Sequence, residues 1–99
     1  MSHARLETNI EKDYVHYAAT RGVLALKLSI PGRRNYPDRL NLCGNGYVFF
    51  IEFKRKGEEP RPAQLSNHRK LRARGYNVYV CDTLEQAKKV LDGELLLAP

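Results

Sequence analysis

Cysteine is scarce in this sequence of 99 residues: Cys43 and Cys81 are the only two. That excludes a disulfide framework, and neither has a second Cys or a His at zinc-finger spacing. Both are expected to pack as small apolar groups on strands, in a reduced, cytoplasmic setting. Long apolar runs are missing too. None approaches the roughly 18 residues that cross a bilayer, so no membrane partner is expected. Met1-Ser2-His3-Ala4-Arg5-Leu6-Glu7 has no apolar centre of the kind a signal peptide needs, and secretion is not expected. Repeats, low-complexity tracts and linkers are absent, which points to a single domain over residues 1–99. A chain this short buries only roughly 60–65% of its unfolded surface, so a partner subunit would help it.

What is present is positive charge. Seventeen Lys and Arg against 11 Asp and Glu leave a formal net charge of +6. A basic domain of this size suits a polyanion, most often nucleic acid. Hydrophobic residues at 42% and charged residues at 28% exclude a wholly disordered chain.

Periodicity orders the chain. Leu6, Ile10, Tyr14, Tyr17 and Ala18 follow a helical spacing across Ser2 to Thr20, with Gly22 as the stop. Val23 to Ser29 reads as a strand ahead of a basic turn-rich loop, Pro31 to Pro37. Asp38 to Cys43 and Tyr47 to Arg55 form a predicted hairpin about Gly44-Asn45-Gly46. Pro62 opens a helix to Arg74 that Gly75 ends; Asn77 to Asp82 is a strand. Thr83 and Gln86 have capping-box spacing for a last helix ending at Gly93. The order is α-β-β-β-α-β-α, a mixed central sheet flanked by helices.

The third strand carries the chemistry. Val48, Phe50, Glu52 and Lys54 share one face; Tyr47, Phe49, Ile51 and Phe53 share the other. A carboxylate and an ammonium together on one face of an apolar strand are costly to bury unless something offsets them. Either the pair is a salt bridge at a solvated strand end, or it is a site. A three-residue loop would pair Cys43 with Tyr47 and set Asp38 opposite Glu52, pointing the same way; a two-residue turn would send Asp38 to the other face. Two facing carboxylates make a hard-oxygen site for Mg²⁺ or Mn²⁺, with Lys54 beside it to orient water or stabilise developing charge.

Pro37-Asp38, thirteen intervening residues and then Glu52-Phe53-Lys54 resemble the PD-(D/E)XK nuclease superfamily and its restriction-endonuclease-like α/β core. More narrowly, the chain resembles the virus-type replication-repair nuclease family, VRR-NUC. Glu7, Gly22, Lys27, the Gly32 loop, Pro37-Asp38-Arg39, Phe50 to Arg55, Gln64 and Gly75 ahead of Val78-Tyr79-Val80 carry the likeness, from Leu6 to about Val90. The resemblance implies a Mg²⁺- or Mn²⁺-dependent DNA endonuclease. Asp38, Glu52, the Phe53 carbonyl and Glu7 would hold metal, Lys54 would assist the water, and Gln64 would orient the site. Read by itself, Glu7 is a helix-start carboxylate favoured by the macrodipole, with Glu11 one turn later competing for the role. Stand-alone members of the family tend to be homodimers that resemble junction resolvases. The favoured substrate is therefore branched DNA such as a four-way junction, with no organic cofactor; linear duplex or flap DNA, or a non-catalytic binding module, are the alternatives.

Arg33, Arg34 and Tyr36 precede Asp38, while Arg55, Lys56 and Arg61 follow Glu52, so two basic loops would flank the carboxylates and grip a phosphate backbone. Lys27 is a phosphate ligand if it faces the site and a solvated strand residue if it does not. Arg69, Lys70, Arg72 and Arg74 either extend the footprint or form a solvated helix face. His3, His16 and His68 are not grouped in sequence, and His16 and His68 are expected to be surface or packing residues. Leu95-Leu96-Leu97 should dock on the domain or on a second subunit.

Overall fold

The protein was analysed as a computed structural model that describes residues 7–99, with side chains from residue 9 onward. The elements are α1 (Glu7–Thr20), β1 (Leu24–Lys27), β2 (Arg39–Gly44), β3 (Tyr47–Phe53), α2 (Pro62–Arg72), β4 (Val78–Cys81) and α3 (Leu84–Leu97). One four-stranded sheet runs β1-β2-β3-β4, with β1 to β3 antiparallel and β4 parallel to β3. This is the expected α-β-β-β-α-β-α order in a mixed sheet.

The β2–β3 hairpin departs from expectation at its tip. Asn45 and Gly46 both adopt positive φ, 52° and 76°, and Gly44 pairs with Tyr47. Asn-Gly takes this mirror-image turn readily because its twist matches that of the strands, so the loop has two residues rather than three. Alone, that turn would put Asp38 on the wrong face. The register shifts between Leu42 and Gly44, however, leaving Cys43 as an extra residue in β2. From Leu42↔Val48 to Arg39↔Ile51 the pairing is the one a three-residue loop would give. Continued one residue further, it sets Asp38 opposite Glu52.

Alternation then divides the sheet into two unlike faces. Phe49, Ile51 and Phe53 meet Ile10, Tyr14 and Ala18 of α1 and Ala87 and Leu91 of α3 in the apolar core. The Tyr14 and Phe53 rings lie 5.4 Å apart. Tyr14 donates its hydroxyl to Asn41 Oδ1 at 2.6 Å, and Asn41 Nδ2 donates to the Phe49 carbonyl at 3.1 Å, so the buried polar atoms of this face are paired. The opposite face, with Phe50 and Glu52, meets α2.

Helix α3 runs through Gly93 to Leu97 instead of ending at Gly93. Its last turn is held from outside the helix. Glu94 is buried and accepts hydrogen bonds from the Tyr47 and Tyr79 hydroxyls and from Asn77 Nδ2 at 2.9 Å. Leu95 packs on the core. Those contacts outweigh the roughly 1 kcal/mol that a mid-helix glycine costs. Leu96 and Leu97, 88% and 65% exposed, do not dock on the domain.

The Glu94 cluster should be visible as alkaline sensitivity. Its hydrogen bond to Glu94, reinforced by burial, pushes the Tyr47 phenol up to about 12; burial and Glu94 also raise Tyr79. In the unfolded chain these phenols ionise near about pH 10. The folded state thus keeps protons that the unfolded state loses, and the associated stability is complete below about pH 10 and disappears as pH rises through about 12. Thermal melts from pH 9 to 12 should show Tm falling in this window, with a shallower fall in Tyr47→Phe.

Candidate active site

Beyond Arg39 the β2–β3 ladder stops, because Pro37 has no N–H to continue it. Asp38 takes over with its side chain: Oδ2 accepts the Phe53 N–H at 2.7 Å. Its own carbonyl accepts the Leu28 N–H at 2.9 Å, tying it to the end of β1. The Asp38 carboxylate is therefore seated against the peptide that joins Glu52 to Phe53. Lys54 N donates to Cys81 O toward β4, so the alternating backbone of Phe53 faces β2. Its carbonyl leaves the strand on the same side as the N–H that Asp38 holds.

Glu52 is 1% exposed and Lys54 is 6% exposed. They are not a solvated pair at a strand end. Lys54 Nζ lies 3.4 Å from Glu52 Oε2, yet its alignment makes no hydrogen bond, and Oε2 is buried without a hydrogen-bond partner. The other oxygen, Oε1, lies 2.7 Å from Nε2 of His68, itself fully buried. A buried carboxylate with one oxygen held and one lone-pair set unused is expensive to maintain unless a cation takes it. That oxygen, the Asp38 carboxylate and the Phe53 carbonyl are all hard donors, as Mg²⁺ or Mn²⁺ requires. Among the described residues no cluster of three His, Cys, Asp or Glu side chains forms. Carboxylate and carbonyl oxygens of this kind suit an ion that keeps several water or phosphate ligands, as Mg²⁺ does.

The other anticipated residues divide. Glu7 opens α1, and its side chain lies outside the described residues. Glu11 is taken: Oε1 accepts from Arg39 Nε at 2.7 Å. Gln64 is buried on α2, where Oε1 accepts the Arg61 N–H at 2.8 Å and so caps the helix start. Arg61 Nη2 donates to Asn35 Oδ1 at 3.2 Å, bringing it to the basic loop. Arg55, paired with Glu58 at 3.9 Å, and Lys56 are exposed just past Lys54. Lys27 is exposed but shares the face of Ala25 and Arg39, which is the α1 side, away from Glu52.

Arg33, Arg34 and Tyr36 line an open concavity of about 730 Å³ with Leu28 and Ile30. A second, of about 300 Å³, lies between Arg33, Tyr36, the α2 residues Lys70 and Leu71, and Arg74 in the turn that follows. Arg33 and Tyr36 border both, so the loop and α2 form one basic surface. Asn67 holds them together, donating from Nδ2 to the carbonyls of Arg34 (3.0 Å) and Asn35 (2.9 Å).

His68 and Asn67 are the residues that sequence reading missed. Gln64, Asn67 and His68 recur at the spacing of one helix face, and all three are buried. A polar stripe at core spacing was the available signal.

No family model matches the sequence. Over 77 residues, 78% of this chain and 83% of the relative, it is 44% identical to "Putative nuclease p44" of Acyrthosiphon pisum secondary endosymbiont phage 1. A solved structure described as a VRR_NUC domain superposes with a TM-score of 0.80 at 33% identity, over 87% of this chain and 94% of that one. Its sheet order, the seating of Asp38 beside Glu52 and Lys54, and these two likenesses agree: the chain belongs to the VRR-NUC family of nucleases.

Proposed function

We propose that this chain is a Mg²⁺- or Mn²⁺-dependent DNA endonuclease that hydrolyses phosphodiesters in branched DNA such as four-way junctions. The observation that carries the reading is the buried, unpartnered Oε2 of Glu52, beside Lys54 and on the peptide that Asp38 seats. Asp38, Glu52 Oε2 and the Phe53 carbonyl would hold the cation. A bound divalent ion supplies charge neutralisation at the scissile phosphate and acidifies water. Lys54, a donor only, orients the attacking water or a phosphate oxygen through Nζ. No covalent enzyme intermediate forms, since Asp38 and Glu52 are committed to ligation. Arg33, Arg34 and Tyr36 hold the DNA backbone on one side of the carboxylates; Arg55, Lys56 and Arg61 hold it on the other.

A homodimer, presenting two sites to two strands of a junction, completes the proposal. Helix α2 contacts β4 and Glu52 but leaves the β1–β2 half of its sheet face open. There Leu24 and Leu26 are 58% and 41% exposed, in register with Leu40 and Leu42. A second copy covering this apolar face explains its composition better than water does. Light scattering should give twice the chain mass, and Leu24→Glu with Leu26→Glu should halve it. The free thiols Cys43 and Cys81 suit the cytoplasmic setting.

The test is labelled junction DNA incubated with Mn²⁺ or with EDTA, beside linear duplex and flap DNA. Metal-dependent nicking of the junction in preference to the others is expected; binding without nicking in any of them would overturn the enzyme. Arg33→Ala should weaken DNA binding and lower the slope of log affinity against log salt by roughly 0.9, one released counterion. Lys27→Ala should leave that slope nearly unchanged, which fluorescence anisotropy at several salt concentrations measures.

A further inference from the structure

We infer that His68 is a positioning residue for the metal-holding carboxylate: its Nε2–H fixes Oε1 of Glu52 and thereby aims Oε2 at the cation. The inference rests on the metal-dependent reading above.

It begins with an oddity in α2. A helix laid on a sheet normally buries an apolar stripe and turns its polar residues outward. Helix α2 does the reverse. It buries Gln64, Asn67 and His68 and leaves Leu65 40% exposed. Such an inversion sacrifices hydrophobic burial, and violations of this kind concentrate where side chains serve a function. Two members of the stripe have local employment: Gln64 caps α2 and Asn67 clamps the loop at Arg34 and Asn35. His68 has neither. Its Nδ1 is buried with no partner, so the contact with Glu52 is the polar bond its ring makes among the described residues.

Chemistry sets the direction of that bond. An ionised carboxylate only accepts, so the bond requires a proton on Nε2. The terminal torsion of a glutamate is soft and needs a hydrogen bond to fix it. Lys54 sits 3.4 Å from Oε2 without hydrogen-bond alignment, so it neutralises charge without setting orientation. The 2.7 Å bond from α2 does set it. It occupies one oxygen, leaves the other beside Lys54, and uses a helix to do so. Outer partners of metal-ligating groups typically account for about 10–100-fold in metal affinity.

The experiment is a Mn²⁺ titration of the full chain, free Mn²⁺ being read by its paramagnetic resonance signal, with melts recorded on every sample. Wild type should bind and Glu52→Gln should lose binding. His68→Leu should weaken Mn²⁺ affinity by about 10–100-fold at unchanged stoichiometry. His68→Gln, whose amide nitrogen falls near the imidazole Nε2, should recover most of it even where its Tm matches that of His68→Leu. A folded His68→Leu with wild-type affinity overturns the inference alone. Equal Mn²⁺ binding by wild type and Glu52→Gln overturns the metal site with it. If His68→Leu does not fold, the ¹⁵N spectrum of the wild-type imidazole decides: an Nε2–H tautomer perturbed by Mg²⁺ supports the role, and an Nδ1–H tautomer or an unmoved signal overturns it.

Discussion

Glu52→Gln is expected to fold, bind junction DNA and cleave it at least about 10³-fold more slowly with Mg²⁺ or Mn²⁺, the scale on which lost charge stabilisation acts. Glutamine fills the same volume, and its carbonyl can still accept from His68. What changes is the second terminal atom. An amide NH₂ then stands where Oε2 did, a donor facing the Lys54 ammonium 3.4 Å from that position. No anion remains to attract a cation, and the amine is left without its counter-charge. Removing one negative charge beside the DNA backbone should hold or slightly raise DNA affinity, so cleavage and binding separate. Nicking rates, anisotropy and a melt on one preparation check all three parts.

Glu94→Leu should have the largest effect on stability, about 3 kcal/mol, which for a domain of this size lowers Tm by roughly 12–24 °C. The loss comes from removing one charged acceptor that the half-buried Tyr47 and Tyr79 hydroxyls share with Asn77 Nδ2. Glu94→Gln keeps one acceptor oxygen and should cost only about 1 kcal/mol. Neither change should alter Mn²⁺ affinity. The buried glutamates Glu52 and Glu94 are thus of opposite kind. Every donor around Glu94 comes from the fold itself, whereas Oε2 of Glu52 has the Lys54 ammonium 3.4 Å away but accepts no hydrogen bond. Thermal melts and Mn²⁺ titration of the two variants, set beside Glu52→Gln, read the difference.

Much of this was legible in residue order. The element sequence follows from periods of 3.6 and 2 and from glycine and proline punctuation, which local chemistry controls. The strand register that leads Asp38 toward Glu52 was legible too, although for an incomplete reason. Asn45-Gly46 makes a two-residue turn, and Cys43 bulges to return the strand to the same register. Bulges are set by how a whole strand pairs, so the tip alone does not reveal one. The end of α3 was hidden because glycine is a local signal, while the anchors of Glu94 come from residues as far off as Tyr47. His68 looked like a packing residue because its partner lies 16 positions away on another element. Lys27 matched the family pattern in sequence, yet strand parity turns it to the α1 face.

The central claim is that Asp38 and Glu52 grip one divalent ion, and anomalous diffraction from crystals soaked in Mn²⁺ tests it most directly. The account predicts a single strong peak about 2.2 Å from a carboxylate oxygen of each residue, with Oε1 of Glu52 still bonded to His68. A well-diffracting soaked crystal with no peak between those two carboxylates, or with Mn²⁺ bound only elsewhere, would contradict it.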